Sequence, residues 1–232
     1  MCNTNIAINN RMKNKLPYNK KAFITEHFFL YKTLIGNKLR FTNSQSYEYI
    51  VGLNFLGNSI LDLNKSLILL KRALSFIAQV KNKGGTILFV GTRHDMRNIV
   101  ASIALKTKSP YINSRWLKGL LTNWENSSNS IKFYKLFLKK LDMRTKQRTN
   151  MKTTFSGIQH MKKLPDVLFI FDLNTDSDAL KEAKKLNIPV IGLVDTNVSC
   201  RNIDYPIPGN SESILSIIFF ANLILSSIKV SN

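Results

Sequence analysis

Short apolar runs alternate with stretches of helical periodicity from residue 58 to the end of the chain. Apolar side chains recur at helical spacing from Leu61 to Ile77, ahead of the glycine pair at 84–85, and predict an amphipathic helix. The apolar runs have the length of buried strands and lie at 86–90, 111–112, 167–171, 189–194 and 205–207.

Two shorter helices are predicted between these strands, and each opens on a Thr-x-x-Asp sequence that resembles a helix-capping signal. The first begins at Thr92 with Asp95, and the second at Thr175 with Asp178. A last, mostly apolar helix follows residue 213. Apolar strands alternating with helices are typical of a parallel sheet covered on both faces. The chain is therefore predicted to be a flavodoxin-like three-layer α/β domain.

Composition divides this domain into segments. Residues 1–40 form a basic, Asn- and Lys-rich N-terminal extension, and 41–125 form the first part of the α/β domain. A basic helical insertion is predicted at 126–163, and the second part of the domain occupies 164–232. The total length of 232 residues suits a single core of ordinary size.

Charge is distributed unevenly along the chain. Residues 1–163 carry 29 Lys/Arg and 6 Asp/Glu, a net charge of +23, whereas residues 164–232 have a net charge of −3. One basic part beside a near-neutral part indicates a surface that faces a polyanion. Nucleic acid is the leading partner and an anionic membrane surface the rival. The apolar run 214–228 is shorter than the roughly 20 residues that span a bilayer.

The predicted insertion supplies much of the basic charge. On a helical wheel, Lys132, Lys135, Lys139 and Lys146 lie on one side. The opposite, apolar side is formed by Ile131, Tyr134, Leu138 and Leu141. Because Asp142 is the one acid between residues 131 and 163, ion pairs within the helix are few, which favours a phosphate-facing helix over a merely solvated one.

Both tryptophans of the chain, Trp116 and Trp124, fall in the segment YINSRWLKGLLTNW at 111–124. Cationic and amide side chains alternate with aromatic ones along this segment. Cations can bind a phosphate backbone and aromatic rings can stack on exposed bases, so the pattern suits nucleic-acid binding. The alternative is that the apolar residues of this segment are core anchors and that Arg115 and Lys118 form a solvated rim. We expect the apolar residues to anchor the segment and the two cations to point outward.

The segment and four others together resemble the universal second protein of the small ribosomal subunit, the ribosomal protein S-two family. The other blocks are ILFVGTRHD, LPDVLFIFD, IPVIGLVDTN and DYPIPGN, in the same order along residues 58–228. The resemblance implies the same α/β architecture with a helical insertion, here shorter than is usual in bacterial members. It also implies a structural, non-enzymatic function. A Gly-His-Phe-Gly motif of the family is reduced here to His27-Phe28-Phe29, so no function is carried over to it.

An enzymatic alternative rests on Asp172 and Asp195. Each ends a predicted parallel strand, at the edge where open α/β sheets bind ligands, and the pair could hold Mg²⁺ and accept a phosphoryl group. The structural interpretation, that both carboxylates cap adjacent turns, is favoured. The sequence after Gly91 lacks the spaced glycines of a nucleotide-binding loop. Cys2, Cys200 and the three histidines are scattered, so no metal or other cofactor is predicted.

The sequence is thus interpreted as a structural protein of a small ribosomal subunit, most consistent with a mitochondrial ribosome, with a plastid or bacterial cytoplasm as alternatives. Its expected partners are small-subunit rRNA and other ribosomal proteins, with no membrane and no small-molecule substrate. The predicted rRNA-binding residues are all cations: Arg93, Arg97, Arg115, Lys118, Lys132, Lys135, Lys139, Lys140, Arg144, Lys146, Arg148, Lys152, Lys162 and Lys163.

Overall fold

The computed structural model describes residues 26–139 and 153–229. A helical segment at 26–30 precedes the first strand. The strands and longer helices then follow in this order: β1 (Ile35–Lys38), β2 (Ile50–Leu53), β3 (Asn58–Leu61), α1 (Leu63–Asn82), β4 (Ile87–Val90), α2 (Arg97–Lys106), β5 (Tyr111–Ile112), α3 (Trp124–Lys139), β6 (Val167–Ile170), α4 (Ser177–Lys185), β7 (Val190–Val194), β8 (Tyr205–Pro208) and α5 (Ile214–Lys229).

The main sheet has five parallel strands in the order β5-β4-β6-β7-β8. Phe89 of β4 lies opposite Phe169 of β6, and Ile170 of β6 lies opposite Gly192 of β7. Every residue of β4, β6 and β7 is buried, which explains why these strands are unbroken apolar runs in the sequence. Helices cover both faces of the sheet, so the predicted flavodoxin-like α/β fold is confirmed.

Alternate residues of each central strand belong to two cores, one on each face of the sheet. Phe89 and Phe169 face the layer formed by α1, α2 and α5. Leu88 and Leu168 face α4 and the segment that carries Trp116. The two cores give the three layers that the pattern predicted.

Residues 26–61 form a feature that the sequence pattern did not predict. Strands β1, β3 and β2 make a small antiparallel sheet, and Phe28 is fully buried against Phe219 and Phe220 of α5. Part of the predicted N-terminal extension, residues 26–40, therefore belongs to the folded body. The cause is packing with distant elements, which a local pattern of four-residue strands does not reveal.

Three predicted element starts were wrong. Leu61, the first position of the predicted long helix, belongs to β3, because Asp62 caps α1 by accepting from the amides of Asn64 and Lys65. Neither Thr92 nor Thr175 caps a helix. Each threonine hydroxyl instead donates to a carboxylate: Thr92 to Asp176 in the loop after β6, and Thr175 to Asp172 three residues earlier in its own turn. The helices α2 and α4 begin later, at Arg97 and Ser177.

Candidate nucleic-acid interface

The carboxyl edge of the parallel sheet is closed over β7 by the N-terminal segment. The amide of Asn37 donates to Thr196 Oγ1 at 2.8 Å, and the amide of Asn43 donates to the Thr196 carbonyl at 2.8 Å. The Ser46 hydroxyl donates to the Val198 carbonyl at 3.0 Å. Because 33–46 covers this half of the edge, the loops after β4, β5 and β6 form its accessible half.

Arg93, in the loop after β4, makes intramolecular contacts in several directions. Its Nη1 lies 3.3 Å from Asp172 Oδ2 and donates to the Ser211 carbonyl at 2.8 Å. Its Nη2 donates to the Glu212 carbonyl at 3.1 Å, and its Nε donates to Asp95 at 2.7 Å. The guanidinium thus joins the loops after β4, β6 and β8. This geometry gives Arg93 a structural role, and its predicted contact with RNA stays a prediction.

The two aspartates of the enzymatic alternative are both occupied by their own turns. Asp172 accepts from the amide and the hydroxyl of Thr175, as well as from Arg93. Asp195 accepts from the amides of Thr196 and Ser211 at 2.6 and 3.0 Å. Burial raises the pKa of Asp195 to about 6, although these hydrogen bonds favour the charged form. Both carboxylates therefore serve as turn and loop acceptors.

Asp176 is a third buried carboxylate at this edge, and the sequence analysis did not single it out. Its side chain accepts from the Thr92 amide at 3.1 Å and from the Thr92 hydroxyl at 2.7 Å. Burial raises the pKa of Asp176 to about 6 against the effect of these two bonds, and the nearby charge of Asp172 adds to the rise. The pair joins the loop after β4 to the loop after β6.

We expect Asp176→Asn to change the pH dependence of stability. The pKa of Asp176 is about 6 in the folded protein, against an ordinary value of 3.8 that applies to the unfolded chain. The folded protein therefore loses stability as the pH rises from below 4 through 6, because the buried carboxyl must ionise. Asparagine keeps an acceptor for the Thr92 amide and carries no charge. From pH 4 to pH 7 the variant should therefore gain about 1–2 kcal/mol of unfolding free energy relative to the wild type. Urea denaturation across this range measures the difference, and a pH-independent difference would contradict the assignment.

The tryptophan loop, residues 113–123, is held by one buried glutamate of α4. Glu182 accepts from Trp116 Nε1 at 3.0 Å, from the Gly119 amide at 2.7 Å and from the Leu121 amide at 2.9 Å. The Thr122 amide donates to the same carboxylate at 3.3 Å. Gly119 has a φ of +85°, a backbone conformation that glycine adopts without strain. The carboxylate therefore fixes the path of the loop at several points.

Sequence reasoning missed Glu182, although a signal was present. Ala179 and Ala183 are buried on the inner face of α4, and Glu182 falls on the same face. A charged residue on an otherwise apolar helical stripe indicates a buried group with dedicated partners. Its donors lie more than sixty residues upstream, so their identity was not readable from local spacing.

The rest of the loop divides as expected between anchors and cations. Leu120 and Leu121 are buried in the core, Trp116 is 9% exposed, and Trp124 is half-buried rather than fully buried. Arg115 is exposed, and the Lys118 side chain is 87% exposed with its Nζ 3.7 Å from Asp178. The loop thus holds its apolar side in the core and presents two cations at the accessible half of the sheet edge.

Helix α3 packs by one side only. Ile131 and Tyr134 are buried, as predicted, and the Tyr134 ring lies 5.9 Å from that of Phe155. Lys132 is exposed and Lys135 half-buried. Phe133 and Leu136 are also exposed, at 55% and 63%, so this surface is not purely basic. The side chains of Leu138 and Lys139 lie outside the described residues, as do Lys140, Leu141, Arg144, Lys146, Arg148 and Lys152.

The remaining predicted cations lie elsewhere. Arg97 is half-buried at the start of α2, and its Nε is buried with no hydrogen-bond partner among the described residues. Lys162 and Lys163 are exposed just before β6, at the amino end of the sheet, and Lys163 pairs with Asp166 at 3.2 Å. They are thus at the opposite end of β6 from Arg115 and Lys118. Those predicted cations whose side chains the structure describes do not form one continuous patch.

In the described part of the chain, no helix combines the length and the apolar character needed to cross a membrane. Within residues 26–139 and 153–229, no three His, Cys, Asp or Glu side chains are grouped so that they could hold a metal ion. The described residues thus form an α/β protein in which buried carboxylates accept hydrogen bonds from its own loops.

Comparison with known proteins identifies the family. The model of the family described as Ribosomal protein S2 matches residues 31–231. The Small ribosomal subunit protein uS2 of Anaplasma phagocytophilum is 41% identical over 212 residues, which are 84% of this chain and 72% of that protein. The protein of the same name from Acinetobacter baylyi is 35% identical over 206 residues, covering 83% of this chain and 82% of its own length.

The chain belongs to the ribosomal protein S2 family. It is a ribosomal protein with a structural function and not an enzyme, so the predicted resemblance is confirmed and the phosphoryl-accepting alternative is not supported. The contacts of Asp172 and Asp195 give the physical reason, because each carboxylate is already used by neighbouring amides and hydroxyls.

Proposed function

We propose that this structural constituent of the small ribosomal subunit binds the subunit's rRNA mainly through cations of the tryptophan loop and of helix α3. Arg115, Lys118, Lys132 and Lys135 make up this proposed surface. Arg93 is left out of it because its guanidinium is engaged by Asp95, Asp172 and two carbonyls. The sheet and its covering helices act as the scaffold.

The observation that carries the proposal is the fixed position of the tryptophan loop. Glu182 holds the backbone at Gly119 and Leu121, on either side of a buried leucine, while Arg115 and Lys118 remain exposed. A loop that is already ordered loses little conformational entropy on binding. Exposed cations on such a loop suit phosphate contacts, which fix the position of a nucleic acid without reading its sequence.

Helix α3 adds a second set of cations, and its contribution can be measured through salt dependence. The affinity for cognate rRNA should fall linearly on a log–log scale with salt, with a slope of about −0.7 to −0.9 per phosphate neutralised. Replacing Lys132, Lys135 and Lys139 together by Gln should make that slope shallower. Filter binding or fluorescence anisotropy with a small-subunit rRNA fragment over a range of salt concentrations gives the slope.

A matched control removes the same charge elsewhere. Lys71, Lys106 and Lys185 are exposed on α1, α2 and α4. Replacing these three lysines by Gln should change the slope much less than the α3 triple replacement, although net charge falls equally. Equal slopes for the two triple variants would show that α3 does not face RNA and that only overall charge matters.

Other ribosomal proteins are proposed as further partners. Apolar side chains are exposed on β2 and in the turn that follows it, among them Val51, Phe55 and Leu56. Exposed apolar side chains close together in the sequence are more typical of a protein contact than of a solvated turn. This feature supports a protein neighbour on the small antiparallel sheet.

The particle itself is proposed to be a mitochondrial ribosome. Lys far outnumbers Arg, and Asn and Ile are abundant, as in proteins encoded by AT-rich organelle genomes. The relatives named above come from bacteria, which accords equally with a bacterial cytoplasm. Subcellular fractionation of the source cells, with the chain followed by antibody, tests the location.

A further inference from the structure

A cavity of about 400 Å³ opens at the accessible half of the carboxyl edge. Its walls come from three loops, those that follow β4, β5 and β6. The residues that line it are Thr92, Ser114, Arg115, Trp116, Leu117, Lys118, Thr175, Asp176 and Asp178. We call this cavity the edge crevice.

The strand order explains why a crevice forms here. Strand β4 lies between β5, the next parallel strand along the chain, and β6, the one after that. The connections that leave β4 and β6 therefore run to opposite sides, and in open α/β sheets this reversal creates a ligand-binding crevice. Thr92 follows β4 and Asp176 follows β6, and their 2.7 Å hydrogen bond joins the two sides.

The lining carries three kinds of group in a small space. Arg115 and Lys118 supply cations, and Lys118 is only loosely paired, 3.7 Å from a half-exposed Asp178. Such an exposed ion pair is weak and can be exchanged for a phosphate. Threonine and serine hydroxyls supply short-range polar contacts, and Trp116 and Leu117 supply apolar surface.

A nucleotide carries the complementary groups: a phosphate for the cations, sugar hydroxyls and base amines for the threonine and serine hydroxyls, and a flat ring for the apolar wall. The Asp176 carboxylate is buried and both of its oxygens accept from Thr92, so it joins the loops beneath the crevice and is not offered to the ligand. A volume of about 400 Å³ lies within the range of small-ligand sites. The site therefore suits one nucleotide unit better than an apolar or a purely anionic ligand.

We propose that the edge crevice binds a single nucleotide, with its phosphate on Arg115 and Lys118 and its sugar or base against Trp116 and Leu117. The inference rests on the proposed function, because the expected source is an unpaired rRNA nucleotide turned out of its strand. A free mononucleotide presents the same chemistry. Binding involves no bond making or breaking.

Trp116 provides a direct readout because it lines the crevice. In the full chain carrying Trp124→Phe, Trp116 is the one remaining tryptophan. Its fluorescence should change saturably on titration with UMP or AMP, and more weakly with uridine, adenosine or inorganic phosphate. Failure of both mononucleotides to bind at millimolar concentration would overturn the proposal.

Two substitutions test where the phosphate lies. Arg115→Gln should weaken UMP binding about tenfold and leave uridine binding unchanged, because it removes a charge-assisted contact to phosphate alone. Arg201→Gln, which changes an exposed arginine outside the crevice, should leave both unchanged. If both variants weaken UMP binding equally, the effect is one of general charge and the assignment of the site is overturned.

RNA competition separates the two sources and the two proposals. A hairpin with one bulged nucleotide should displace UMP, whereas the same hairpin fully paired should not. Displacement by neither hairpin would leave a site for free mononucleotides. If UMP fails to bind while the wild-type chain still binds rRNA with a steep salt dependence, the crevice proposal fails and the proposed function stands. If UMP binds but rRNA does not, the crevice proposal stands and the proposed function fails.

Discussion

Replacing Glu182 by alanine is expected to lower the free energy of unfolding by about 3–5 kcal/mol. The carboxylate is buried and accepts from the Trp116 indole and from the amides of Gly119 and Leu121. Without it, these donors remain in the protein interior, and each unsatisfied buried donor costs about 1–3 kcal/mol. Partial relaxation of the loop and entry of water keep the total below the simple sum.

Glu182→Gln is the matched variant. Glutamine has nearly the same shape and keeps one acceptor oxygen. Its amide nitrogen replaces the second carboxylate oxygen, and this nitrogen cannot accept hydrogen bonds from the donors that the oxygen served. The unfolding free energy of Glu182→Gln should lie between that of the wild type and that of Glu182→Ala. Urea denaturation of the three proteins ranks them. An alanine variant within about 1 kcal/mol of the wild type would mean that the loop does not depend on this carboxylate.

The parallel sheet could be predicted from sequence because its strands are buried on both faces. Each central strand then appears as an apolar run, and the runs at 167–171 and 189–194 match β6 and β7 within one residue at either end. The final helix was equally clear from its apolar length. Local composition carries this information because burial is nearly complete along the whole element.

The N-terminal antiparallel sheet was not predicted because its stability comes from distant contacts. Strands β1 and β2 have four residues each, and no residue of either is fully buried. They are held by pairing with β3 and by bonds to Thr196 and Val198 near the other end of the chain. Such long-range contacts leave little trace in a window of ten residues.

The surroundings of the predicted cations could be predicted only in part, because some of their contacts are with distant residues. The exposure of Arg115 and Lys118 accords with their charge, while the neighbouring Trp116, Leu120 and Leu121 are buried. The engagement of Arg93 depends on Asp172 and on the Ser211 and Glu212 carbonyls, which lie about 80 to 120 residues away. The capping signal at Thr92 failed for the same reason, because its hydroxyl donates to Asp176 across the sheet edge. Thr175 differs, because its hydroxyl donates to Asp172 in its own turn.

The second large effect concerns the division of labour within the tryptophan loop. Trp116 is nearly buried and hydrogen-bonded to Glu182, so Trp116→Ala should cost about 3–5 kcal/mol of unfolding free energy. The double variant Arg115→Gln and Lys118→Gln changes exposed side chains and should stay within about 0.5 kcal/mol of the wild type. Trp116→Phe, which keeps an aromatic ring, serves as the milder control.

Binding should show the opposite order at temperatures where all variants are folded. The double variant loses two cations of the proposed rRNA-binding surface. Its affinity for small-subunit rRNA should therefore fall about tenfold or more at physiological salt. Trp116→Phe keeps both cations and should bind nearly as well as the wild type. The contrast separates a role in folding from a role in contact.

Incorporation into small-subunit particles tests the central claim most directly. Particles lacking the chain are mixed with labelled wild-type protein, the Arg115→Gln and Lys118→Gln double variant, or a Lys71→Gln and Lys185→Gln control, and then sedimented. Each protein is melted in parallel. We predict that the double variant has the melting temperature of the wild type but co-sediments with the particles about tenfold less. The control should match the wild type in both melting temperature and co-sedimentation. Normal co-sedimentation of the double variant would contradict the claim that the tryptophan loop binds rRNA.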